Sequence, residues 1–181
     1  MIEPQIVRWF PLRAPAGPSL PERNIMTPEL HQLVQESWTR LAADAPSVAR
    51  RFYANLFELA PRSRILFARV DPERQQQAFV LMLDDIVRLL DQPERCIPEL
   101  AALGRRHVAY GVEPADYDTV GSALLVTLEE SLGDAFTPRV RDAWMEAYRM
   151  IAAIMRRAAA RMPAMLTGEM PAVQEAKVKG A

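Results

Sequence analysis

A single cysteine, Cys96, stands among 181 residues, which excludes an internal disulfide and, with no secretion signal evident, is the usage expected of a reducing cytoplasm. Arg8 interrupts the one apolar patch near the start, Ile6 to Leu12, so that patch lacks the unbroken apolar centre of a signal peptide. An excess of charge is missing too. Twenty-two basic residues face 23 acidic ones for a net charge of −1, leaving no electrostatic footprint for nucleic acid. In the body of the chain no apolar run is longer than that from Ala78 to Leu83, which falls far short of the ~20 residues needed to span a membrane. Neither an internal repeat nor an alternating strand pattern is found, so the expected architecture is all-α. Histidine is scarce, with only His31 and His107, and scarcity makes the position of each informative.

What is present is helical periodicity punctuated by proline. Residues 1–26 hold Pro4, Pro11, Pro15, Pro18 and Pro21 without a helical period and read as an irregular extension. A helical domain over 27–160 follows, and residues 161–181 read as a frayed tail. Thr27-Pro28, Asp71-Pro72 and Thr137-Pro138 each place a capping side chain before a proline at the first helical position, where its missing N–H costs nothing. The first helix is expected from about Pro28 to Ala42, with Leu30, Val34, Trp38 and Leu41 inward. Pro46 opens a second, with Val48, Phe52, Leu56 and Leu59 on one stripe and Tyr53 and Phe57 beside it. A short segment runs from Pro61 to Leu66-Phe67, and after Pro72 the stripe is Phe79, Leu83, Ile86 and Leu90, with Gln75 one turn earlier on the same face.

Pro93 and Pro98 are expected to break the chain before the next helix, on which Ile97, Leu100, Leu103 and His107 share a face. A histidine on an apolar face is either a hydrogen-bonded core residue or a ligand. His31, on the first helix, reads as a surface residue. Gly111 ends the His107 helix, Glu113-Pro114 starts a long one through Val120, Leu124, Leu128 and Leu132, and the last carries Val140, Trp144, Ile151 and Met155 inward.

Phe52-Tyr53-Ala54-Asn55-Leu56-Phe57, the Leu66-Phe67 after Pro61, the run from Gly104 to Val112, the run from Tyr117 to Gly121, and Leu132 to Phe136 followed by Trp144 and Tyr148 occur in one order at consistent spacing. Together they resemble a globin, specifically a bacterial single-domain haemoglobin similar to the globin part of flavohaemoglobins, over roughly Thr27 to Ala160. The resemblance implies a globin fold around haem b, iron protoporphyrin IX. His107 would be its axial iron ligand, the second ring nitrogen held by an acceptor such as the Leu103 carbonyl. It also implies Phe67 stacked on the porphyrin, Phe79 above it, Val112 and Tyr117 among the cofactor contacts, and Tyr53 with a glutamine on the distal side. Gln75, Gln76 and Gln77 compete for that last place. Helical phase selects Gln75, because Gln77 leads into Leu81 and Asp85, a charge that would face the core.

With no distal histidine expected, the resemblance implies a sixth iron position that is open or weakly occupied, where O2, NO or CO would bind. The implied function is reversible dioxygen binding for storage or supply. A second reading is a nitric oxide dioxygenase served by an external reductase, since the chain shows no glycine-rich dinucleotide or flavin fingerprint. A haem-based gas sensor is a third and weaker reading, because it calls for an output domain. One departure stands out: where the flavohaemoglobin type has a glutamate near the end of the last helix, this chain has Ala159, with Arg156 and Arg157 nearby.

Overall fold

In the computed structural model the described residues are 26–161, so residues 1–25 of the expected extension and the tail beyond Arg161 lie outside them. The described chain is all-α and forms seven α-helices: α1 (Pro28–Ala42), α2 (Ala45–Leu59), α3 (Arg64–Phe67), α4 (Pro72–Leu89), α5 (Pro93–Ala109), α6 (Asp116–Leu132) and α7 (Pro138–Ala159). Short 3-10 turns at Pro61–Ser63 and Gly133–Ala135 join α2 to α3 and α6 to α7.

The three threonine or aspartate starts form as their chemistry dictates. Thr27, Asp71 and Thr137 side chains accept from the backbone N–H of Leu30, Arg74 and Val140, each three residues on, with proline next in the chain. Pro98 behaves otherwise than expected. It sits inside α5, which begins at Pro93; the carbonyl that its missing N–H leaves without an intrahelical donor belongs to Glu94, an exposed residue of the first turn. The helix expected at Pro114 begins two residues later, after Asp116 accepts the Glu113 N–H at 2.8 Å.

Apolar stripes decide the packing. Val34, Trp38, Phe52, Leu83, Leu100, Leu128 and Trp144 are buried in a single core cluster, α5 lies most extensively along α7, and α2 lies along α6. Close approach of α5 and α7 depends on Gly104, since a Cβ there would stand 2.4 Å from the Met155 carbonyl oxygen. Both buried indoles find acceptors: Trp38 Nε1 donates to Asp84 at 2.9 Å and Trp144 Nε1 to Ser37 at 2.9 Å. Leu59, the last residue of α2, is exposed rather than inward.

His31 is not a surface residue. It is 8% exposed, and its Nε2 lies 3.2 Å from the Val87 carbonyl oxygen of α4. Spacing explains this, for His31 stands three residues before Val34 and seven before Trp38 on the face that α1 turns to α4 and α7. Among the described residues no helix is long and apolar enough to cross a membrane.

Candidate functional site

α5 carries His107 two residues before its end, where Leu100, Leu103 and Gly104 bury the helix against α7. The imidazole Nδ1 lies 3.0 Å from the Leu103 carbonyl oxygen. A carbonyl only accepts, so Nδ1 carries the proton, and in the neutral ring Nε2 keeps a lone pair. Burial favours that neutral form and holds the His107 pKa below its ordinary value; the Leu103 bond opposes the shift and the Arg106 cation reinforces it. Gly111 closes the helix with φ +83°, a conformation that suits glycine, and returns the Val112 N–H to the His107 carbonyl at 3.0 Å.

An apolar cavity of about 110 Å³ opens beside this imidazole. Phe79, His107, Val112 and Tyr117 line it, as do Leu103 and Trp144. Tyr53, Gln75 and Phe67 do not line it and instead form the adjoining layer. The Tyr53 ring lies 5.9 Å from Phe79 and 5.4 Å from Phe67, edge-on to both, while Phe52 stacks on Phe79 at 4.2 Å. Gln75 Nε2 donates to Tyr53 Oη at 2.9 Å, leaving the phenol hydrogen uncommitted by that bond. Burial pushes the Tyr53 pKa up to about 12 against the opposing Gln75 bond, so the phenol stays a neutral donor at ordinary pH. α4 turns Gln77 and Leu81 to solvent, and Asp85 pairs with Arg88 at the helix surface.

On the other side Tyr117 stands 6.2 Å from His107 with ring planes 28° apart. The Tyr148 hydroxyl donates to the Tyr117 carbonyl, and Gly121 makes room for it, since a Cβ there would meet the Tyr148 ring at 2.5 Å. Tyr148 and Arg156 are two contributors that sequence reasoning did not assign. The guanidinium of Arg156 lies 5.3 Å above the Tyr117 ring. The available signal was spacing along α7, where 148 and 155 share a face and 156 adjoins it.

The residues fit a haem in kind. A neutral imidazole with its tautomer fixed by a carbonyl is the donor an iron takes from a histidine. Two buried polar atoms, Gln75 Oε1 and Tyr117 Oη, have no hydrogen-bond partner in the described structure, a cost that native cores keep where a ligand or function compensates. At about 110 Å³ the cavity is smaller than the roughly 300–1,000 Å³ of ligand pockets, so a flat ring would require lining side chains to move. Met82 and Met155 in the lining are unbranched and adapt readily.

Helices converging on one apolar cavity, with a neutral histidine at its wall, define a haem-binding globin. The globin family model matches residues 50–155, more than half of the chain, and the chain belongs to that family. It is 32% identical over 125 residues to a flavohemoprotein of Rhodopirellula baltica, which covers 68% of this chain and 31% of the relative. It is 29% identical over 140 residues to an anaerobic nitrite reductase of Oryza sativa subsp. indica, covering 69% of this chain and 90% of that protein. The chain thus spans about a third of the flavohemoproteins' length. The crystal structure of a hexacoordinated heme protein from an anhydrobiotic tardigrade superposes with a TM-score of 0.68 at 19% identity, covering 78% of this chain and 99% of that one, a likeness of fold.

Proposed function

We propose that this chain binds dioxygen reversibly, for storage or supply in the cytoplasm, at a haem b held by His107. The observation that carries the reading is the Tyr53–Gln75 pair, a neutral phenol and an amide bonded at 2.9 Å and adjoining the cavity that His107 lines. When bound, haem supplies an iron with a position open to a diatomic gas. The Leu103 carbonyl keeps the His107 ring in one orientation and one tautomer. Phe52, Phe67 and Phe79 keep the neighbourhood of the gas dry. Tyr53 and Gln75 are its hydrogen-bond donors, and bonds of that kind to a charged acceptor contribute about 1.5–3 kcal/mol each.

The proximal side favours binding over oxidative turnover. Ala159 stands where the flavohaemoglobin type has a carboxylate, and the charge over the Tyr117 ring is the Arg156 cation. A carboxylate would press negative character onto the imidazole and promote O–O cleavage. Rapid-mixing measurement of oxygen release tests the reading: Tyr53→Phe is expected to release oxygen at least tenfold faster, and an unchanged rate would remove Tyr53 from the site.

A further inference from the structure

We infer that Arg156 is a positioning residue which, through Tyr117, holds a positive charge on the His107 side of the cavity and thereby favours the reduced state of bound haem. The inference rests on the haem-binding reading above. Its guanidinium lies 5.3 Å over the Tyr117 ring, a cation–π geometry, and the same ring lies 6.2 Å from His107 and nearly parallel to it. The charge is therefore separated from the imidazole by a single aromatic ring.

Two further observations support a built arrangement. Arg156 Nε is buried without a hydrogen-bond acceptor, so the side chain keeps this position at a desolvation cost. Its outer nitrogen bonds Asp118 Oδ1 at 2.6 Å, and there the exposures are unequal, 37% for the arginine side chain against 79% for the aspartate. Water screens the carboxylate more than the guanidinium, and the field inward is net positive. Reduction of a haem iron lowers its positive charge by one unit, and a nearby cation stabilises that form relative to the oxidised one.

The test is the reduction potential of the haem-reconstituted full chain, with a Soret band checked in every variant. Arg156→Met is expected to shift the reduced-to-oxidised ratio at fixed potential by about tenfold toward oxidised, which for a one-electron couple is 59 mV downward. Arg156→Lys, which keeps the charge, is expected to restore most of the shift. Asp118→Asn, which leaves the cation less neutralised, is expected to move the potential upward. Loss of packing alone would not move Arg156→Met and Asp118→Asn in opposite directions. Unchanged potentials in both, or a fall in Asp118→Asn, would overturn the inference while leaving haem binding intact. Failure of the unsubstituted chain to take up haem would overturn both readings together.

Discussion

Gln75 and Gln77 are chemically identical and two residues apart on α4, yet the helix gives them opposite surroundings. Gln75 reaches the Tyr53 hydroxyl at 2.9 Å, whereas Gln77 points to solvent. On the distal reading, Gln75→Val is expected to accelerate oxygen release by roughly tenfold or more, equal to the loss of one charge-assisted bond of about 1.5 kcal/mol or above. Gln77→Val is expected to leave the rate unchanged. Flash photolysis of the gas-bound protein measures both, and equal effects from the two would contradict the assignment. This distinction was legible in the sequence because a polar residue one turn before Phe79 keeps its phase with Leu83 and Ile86, all of which are buried. The Leu103 bond to His107 was equally legible, being a contact four residues back along one helix. Arg156 was not. Spacing along α7 puts it beside the face of Tyr148 and Met155, but its place over the Tyr117 ring depends on how α6 crosses α7.

At the scale of elements, residue pattern specified starts and faces better than interruptions. Capping side chains with proline marked three helix starts correctly, since both act within one turn. Pro98 misled, because a proline near a helix start removes a single bond, here to the carbonyl of the exposed Glu94. His31 misled in another way: its polarity suggested a surface place, while its spacing with Val34 and Trp38 assigned it to the buried face. The α5–α7 crossing is the contact that sets the imidazole against the cavity. Gly104→Ala would drive a methyl to 2.4 Å from backbone oxygen, and overpacking of that order costs about 1–3 kcal/mol. A lowered urea midpoint and faster haem loss are the expected results. Unchanged values of both would show that the crossing has slack.

For the whole molecule, one core serves both stability and the site, so burial that tunes the site also shapes the response to pH. Burial pushes Cys96 and Tyr53 each up to about 12, and raises Tyr148 further. A group whose folded pKa exceeds its unfolded value contributes fully below the unfolded pKa and loses that contribution as pH rises toward the folded one. Stability is therefore expected to hold up to about pH 8 and then fall, by at most about 1.4 kcal/mol per pH unit for each group that ionises only on unfolding. Denaturant midpoints at pH 7, 9 and 10.5 check the slope, and Cys96→Ser would flatten the part that begins near pH 8.5.

Haem capture through His107 is the property on which every site residue depends, and absorption spectroscopy of the purified chain supplied with haem measures it directly. The expected result is a strong Soret band from the unsubstituted protein, with haem retained on desalting, and loss of that retention in His107→Ala. A chain that shows no Soret band, or a His107→Ala variant that holds haem as tightly, would contradict the assignment.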